Sequence, residues 1–276
     1  MSVVSLQEQS STFAANRAQG EIALTVAHDG GRTRRKRVRE SGSLRARFPN
    51  VTGEEIEAVI VNTAGGIAGG DRFALDFTVG EGAKLLVSGA AAEKVYRSIG
   101  IETVISVRLD IAKGASLRWL PQETILFDRA NLTRSIDIEM AGDAALVLVE
   151  AVVFGRAAMG ETVEQGKLID RWQLRRDGKL VFAETLKLDG AIKDILARAA
   201  IANGGGAIAT ILFTPADEAL VEKLRAIECS GEVGISAWNG IALARFCAAD
   251  GAALRRDIVA HLAALDRGTL PRLWLN

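Results

Sequence analysis

The chain is poor in the residues that usually carry metal and nucleophilic chemistry. It has two histidines, His28 and His261, and two cysteines, Cys229 and Cys247, among 276 residues. No HxxxH, HExxH or clustered Cys/His spacing occurs, which argues against the common zinc sites. No GxSxG elbow occurs, which removes the usual esterase frame. Two isolated cysteines cannot make a disulfide framework, and without a CxxC pair they point to a reducing compartment. Cys247, in the apolar run around Phe246, fits a small buried hydrophobe. His261 falls between apolar positions of a helical pattern and is expected at the surface or its boundary. Charge of one sign is also missing: 34 Lys and Arg face 34 Asp and Glu, so the whole-molecule field does not recruit nucleic acid. No apolar run reaches the ~18 residues of a spanning helix, and residues 1–20 lack the apolar core of a signal peptide. The expectation is a soluble cytoplasmic protein with neither membrane nor nucleic acid as partner, and with a flexible tail over 1–20 ahead of a single domain over 21–276.

What is present is apolar content, 49% of the chain, enough for a large core. Its most unusual stretch is Asn62-Thr-Ala-Gly-Gly-Ile-Ala-Gly-Gly-Asp71. A phosphate loop would need a Gly-Lys-Ser/Thr ending, and a dinucleotide fingerprint would need a helix to follow. Instead Phe73, Leu75 and Phe77 alternate with smaller or polar residues, which is strand periodicity. The glycines Gly65, Gly66, Gly69 and Gly70 therefore join strand to strand, and no helix N-terminus is available for a phosphate.

From Glu54 to Leu188 the pattern is nearly all strand. Ile101, Thr103, Ile105, Val107, Leu109 and Ile111 form one alternating row, and Ile136, Ile138 and Met140 form another. Gly80-Glu81-Gly82, Lys113-Gly114 and Ala141-Gly142-Asp143 punctuate them, and Asp177-Gly178 predicts a hairpin. Strand–turn units of comparable length are able to stack in layers. The last third differs. A short helix is expected around Ala191–Ala199. A second is expected from Pro215 with Thr214 as its N-cap. A further one covers Ala252–Asp266, with Leu254, Ile258, Leu262 and Leu265 on one face. Two short strands should flank Asn239-Gly240. The fold class is thus mainly β, a layered stack of short strands, with two substantial helices in the C-terminal third.

One dense basic block runs from Arg32 to Arg39 and continues at Arg45 and Arg47. Charge runs usually form solvated faces. The functional alternative is a docking patch for an acidic partner. RNA is a weaker match, because no aromatic residues are interleaved for base stacking.

Four carboxylates sit in apolar rows. Asp71 is in phase with Phe73 and Leu75, Glu123 with Trp119 and Phe127, Glu150 with Leu146 and Leu148, and Glu184 with Phe182 and Leu186. Period two turns each inward, and Glu150 should be buried whichever way it points, because both faces of its strand are apolar. Burying an ionised carboxylate costs several kcal/mol unless it is paired. Ion pairs with Arg72, Lys94, Arg97, Arg156 or Lys187 are one solution. An interior polar passage or an oxygen-ligand cation site is another, and a glycosidase-like acid/base pair is a third.

Four further motifs follow the glycine stretch in order: Lys94-Val-Tyr96-Arg97-Ser98, Leu120-Pro-Gln-Glu123-Thr-Ile-Leu-Phe-Asp128, Phe154-Gly-Arg156 and Pro271-Arg-Leu-Trp274. Together they resemble the UreD family of urease accessory proteins over roughly residues 20–275. The resemblance implies a β-helix-like stack with C-terminal helices, and a chaperone rather than an enzyme. It implies binding to the urease apoprotein, direct contact with UreF, and contact with the GTPase UreG through UreF. Nickel would be a transient cargo with no tightly bound cofactor, and Asp71, Glu123, Glu150 and Glu184 become candidates for a nickel passage. A scaffold that bridges urease and the GTPase without conducting metal is the alternative. Three departures stand out: Arg72 where relatives are expected to carry a second acid, Glu150 where they are expected to carry Asp, and Gly42–Arg47 as a loose and unusually basic version of the family's entry segment.

Overall fold

The structure, a computed structural model, describes residues 17–50, 53–156 and 159–275. Most of the expected tail, residues 1–16, lies outside the described residues. The strands are β1 (Gln19–Asp29), β2 (Arg32–Gly42), β3 (Leu44–Arg47), β4 (Ile56–Asn62), β5 (Arg72–Val79), β6 (Lys84–Gly89), β7 (Glu93–Val95), β8 (Thr103–Ile111) and β9 (Ser116–Leu120). They continue with β10 (Thr124–Leu126), β11 (Asn131–Met140), β12 (Ala145–Phe154), β13 (Gly166–Arg176), β14 (Lys179–Gly190), β15 (Ala207–Thr214), β16 (Glu232–Trp238) and β17 (Ile241–Ala248). The helices are α1 (Ile192–Leu196), α2 (Glu218–Arg225) and α3 (Gly251–Leu265), and a single 3-10 turn covers Arg272–Trp274.

The chain winds between two sheets in a β-solenoid-like stack of about four turns. One sheet has the order β14-β13-β11-β8-β5-β1-β2, and the other runs β16-β17-β15-β12-β9-β6-β4-β3. Neighbours in the middle of each sheet are parallel: β1, β5, β8, β11 and β13 in the first, and β4, β6, β9 and β12 in the second. β7 and β10 pair along a narrow third side.

The crossings from β5 to β6, β8 to β9 and β11 to β12 are each four residues long. Each ends on a buried alanine, Ala83, Ala115 or Ala144, whose N–H donates to the first residue of its own turn. Ser116 N–H then donates to Ala83 O at 2.9 Å and Ala145 N–H to Ala115 O at 2.9 Å, so the turns themselves stack. This is the layer repeat that the punctuation predicts, held by small residues at one position rather than by a repeated sequence.

Two apolar layers result. Inward rows such as Phe73, Leu75, Phe77 and Val79 meet Leu117 and Trp119 between the sheets, and the Phe77 and Trp119 rings meet edge-on at 5.5 Å. The outer face of the larger sheet, with Val147, Val149 and Phe213, packs on Leu254, Ile258 and Leu262 of α3. β12 is therefore buried on both faces, as its double apolar row predicts.

The Asp177-Gly178 and Asn239-Gly240 turns join antiparallel pairs, with φ of 50° and 74° in the first and 49° and 72° in the second. The start of α2 differs from expectation. Its N-cap is Asp217, whose carboxylate accepts from Leu220 N–H at 2.8 Å. Thr214 ends β15 and donates its hydroxyl to Gly240 O instead. The sequence carries two competent caps there, and the strand claims the earlier one. α3 matches its predicted apolar face, but His261 is buried: its Nδ1 lies 2.7 Å from Asp257 O and its ring meets Phe246 edge-on at 4.9 Å.

Candidate functional site

The glycine stretch connects β4 to β5 and lies along β7. Ile67 N–H donates to Lys94 O at 2.7 Å, and Tyr96 N–H returns the bond to Ile67 O at 2.8 Å. Asn62 ties the turn together: its side-chain oxygen accepts from Ala64 N–H, and its amide donates to Gly66 O at 3.1 Å and to Glu93 at 3.2 Å. Gly66 has φ +148°, and a Cβ there would stand 2.5 Å from the Tyr96 ring. Gly66→Ala is thus expected to cost about 2 kcal/mol, with part of the loss recovered in the Gly66→Ala/Tyr96→Ala double variant. Denaturant unfolding of both checks this.

The motif residues Tyr96, Phe127 and Arg156 meet in one stack: the two rings are edge-on at 5.2 Å, and the Arg156 guanidinium lies 4.3 Å above Phe127. Lys94 and Arg97 are exposed beside it. The C-terminal motif closes on the same region, with Trp274 Nε1 donating to Leu120 O at 3.0 Å.

A cavity of about 360 Å³ opens beside the glycine turn and reaches into the space between the sheets. Exposed Gly65 and Lys94 line its outer end, and buried Arg134 and Glu150 line its inner end. Glu93 also lines it, and burial pushes its carboxyl up to about 7 against the opposing hydrogen bond from Asn62. At the inner end, Arg134 bonds Glu150 through one guanidinium nitrogen and Asp170 through two others. Trp119 Nε1 donates to Glu150 at 2.9 Å, and Trp172 Nε1 donates to Asp170 at 3.0 Å. Only 5–6% of each of the three charged side chains is exposed. Burial, with the charge of Asp170 adding to it, pushes Glu150 up to about 7 although Arg134 and Trp119 pull it down. One cation does not neutralise two buried carboxylates.

Beyond this cluster, Asp170 and Glu184 line a small cavity of about 20 Å³, room for about one water. Glu184 also lines a third cavity, of about 430 Å³, together with exposed Glu232 and Arg245. The three spaces form a file from the glycine turn to the β14–β17 side, interrupted at Arg134.

Of the four carboxylates singled out by phase, the structure brings Glu150 and Glu184 onto this file. Asp71 is buried as expected, but its two oxygens accept from Ala18 N–H at 2.8 Å and Ala68 N–H at 2.7 Å, tying β1 to the glycine turn. Glu123 is gripped by Arg255 of α3, which also donates to Gln122 and to Leu273 O. Neither Asp71 nor Glu123 lines any of the three cavities. Glu184 points inward but remains 27% exposed, because β14 is an end strand.

The expected ion-pair partners differ. The carboxylates pair with Arg134, Arg255 and Arg245 rather than with Arg72, Lys94, Arg97, Arg156 or Lys187. Neighbours in sequence were the wrong guide, because the solenoid sets adjacent strands about thirty residues apart in register, as with Arg72 and Val104. Arg134 shares a row with Leu132 and Ile136, and Asp170 with Leu168 and Trp172, so the signal that exposed the acids was available for both. Glu93, on a three-residue strand, carries no such periodic signal. Among the described residues, no three His, Cys, Asp or Glu side chains converge in a way that could hold a metal ion, and no helix is long and apolar enough to cross a membrane.

A family model described as UreD urease accessory protein matches residues 18–275. A urease accessory protein UreD of Rhodopseudomonas palustris (strain BisA53) is 58% identical over 270 residues, covering 97% of this chain and 94% of its own length. Urease accessory protein UreD 3 of Bradyrhizobium sp. (strain BTAi1) is 55% identical, with 96% of each chain covered. The UreD of Bradyrhizobium diazoefficiens is 54% identical, with 98% of this chain and 99% of its own length covered.

Proposed function

The chain belongs to the UreD family of urease accessory proteins, and from that premise we propose that it serves urease maturation as a nickel-delivery chaperone and not as an enzyme. In this reading it works in the cytoplasm, binds the urease apoprotein, contacts UreF directly and reaches the GTPase UreG through UreF. Nickel is cargo, and no cofactor is held.

The observation that supports a conducting role is the file of cavities with carboxylates at its constrictions. Oxygen ligands without thiolates bind a borderline dication weakly, and a transfer route must release what it accepts. Arg134 supplies the resting counter-charge to Glu150 and Asp170. An entering dication takes over that role, and Glu184 receives it on the far side. Asp71 and Glu123 support the route from outside it, by fixing the glycine turn and α3.

The scaffold alternative is favoured by the same cluster seen as a closed plug between the first two cavities. Glu150→Gln and Glu184→Gln separate the two readings, since each removes a charge and keeps the size. The conducting reading expects the nickel content of co-expressed urease to fall roughly tenfold or more, the scale of losing a metal-positioning group, while the complex with UreF still co-purifies. Unchanged nickel with an intact complex makes the chain a scaffold. Loss of the complex makes these acids structural.

A further inference from the structure

The basic block falls mainly on β2, two strands away from β5, whose Phe73 and Leu75 line the first cavity. β2 is the end strand of its sheet and pairs only with β1. On its other side the one backbone bond among the described residues is Thr33 N–H to Glu54 O, at 2.9 Å. Every residue from Arg34 to Arg39 is exposed, so both faces of the strand stand clear of the core.

Six of the eight residues from Arg32 to Arg39 are cationic. Lys36 is answered by Asp29 at 2.9 Å and Arg39 by Glu21 at 3.6 Å. Arg32, Arg34 and Arg37 have no carboxylate within 4.0 Å among the described residues. A charged edge commonly guards against aggregation, but a few scattered lysines suffice for that. Here the charge is concentrated, of one sign, and set beside a groove of about 540 Å³. The groove is lined by Arg35, Val38, Glu40, Ala46, Arg47 and Phe48. Val38 is 40% exposed, and the Arg35 guanidinium lies 4.4 Å above the Phe48 ring.

We infer that the outer edge of β2 and this groove form a docking site for an acidic, extended protein segment. The free backbone edge accepts it as an added strand, the arginines answer its carboxylates, and an apolar side chain seats against Val38 and Phe48. Strand addition draws affinity from main-chain bonds and selectivity from such side-chain pockets. A nucleic acid fits less well, because β2 carries no aromatic residue on which bases could stack.

The inference rests on β2 and the adjoining groove and stands or falls apart from nickel conduction. The test uses the full-length chain and a fluorescent decapeptide of alternating Glu and Val. Binding is expected to weaken by about tenfold or more in R34E/R37E, and by a similar factor between about 50 and about 300 mM NaCl, as screening predicts. Val38→Asp should weaken it as well, without lowering the thermal midpoint. Amide hydrogen exchange over residues 34–39 should slow when the peptide is present. Equal affinity in wild type and R34E/R37E, no change in exchange, or tighter binding of a mixed-sequence single-stranded RNA decamer would overturn the inference. Amide exchange on the wild-type chain, with and without the peptide, locates the site even if a variant misfolds.

Discussion

Arg134→Ala is expected to lower folding stability by about 3–5 kcal/mol, because it strands two carboxylates in the core without a counter-charge. Glu150 and Asp170 are each bonded by a tryptophan N–H, but those bonds supply no charge. The triple variant Arg134→Met/Glu150→Gln/Asp170→Asn should recover most of the loss. It keeps an acceptor for Trp119 and Trp172 while removing every buried charge, and replacing a whole buried ion cluster is often neutral. Urea unfolding of the three proteins, wild type, single and triple, checks this. A cost below about 1 kcal/mol for Arg134→Ala, the range of an exposed pair, would mean that water reaches the cluster. The two cavities on either side of it would then be joined by water rather than separated by an ion pair.

Glu93→Gln should stabilise the protein in a pH-dependent way, by up to about 3 kcal/mol near pH 8 and by almost nothing near pH 4. Burial raises the Glu93 carboxyl from 4.5 to about 7 in the folded protein. Between those values the folded state binds more protons than the unfolded chain, so stability falls as pH rises. The contribution of neutral Glu93 is fully present below 4.5 and is lost as pH climbs through about 7. Glutamine is neutral throughout and still accepts from the Asn62 amide. The difference in unfolding free energy between variant and wild type, followed across that range, should therefore widen with pH. A difference that stays flat would place Glu93 in contact with solvent. Because the residue lines the cavity beside the glycine turn, the same result reports on how dry that cavity is.

Much of the solenoid was legible because its strands obey period two and glycines punctuate its turns. The rows Phe73–Val79 and Thr103–Ile111, the Asp177-Gly178 hairpin and the apolar face of α3 fall where the pattern places them, whereas Ile101, expected to begin its row, precedes β8 and is 45% exposed. The burial of Glu150 followed from arithmetic alone, since neither face of β12 is polar. What was not legible is which residues meet. Arg134 and Glu150 are close in sequence, but Asp170 and Glu184 join them only through parallel register and a hairpin. Arg255 reaches Glu123 from 132 residues away. His261 was misplaced for a related reason: its position on α3 shows which side it takes but not that β17 supplies Phe246 beneath it. The glycine stretch announced a tight strand connection, yet its specific demand, the Tyr96 ring against Gly66, depends on a segment thirty residues away. Periodicity reports the face of a side chain, while partnership depends on how the turns stack.

The most direct test of a role in urease maturation is to co-express urease with its other accessory proteins, with and without this chain, and to measure the nickel bound to purified urease. Urease made without the chain is expected to carry little nickel and to hydrolyse urea poorly, and restoring the chain should restore both. Urease fully loaded with nickel in the absence of the chain would contradict that role.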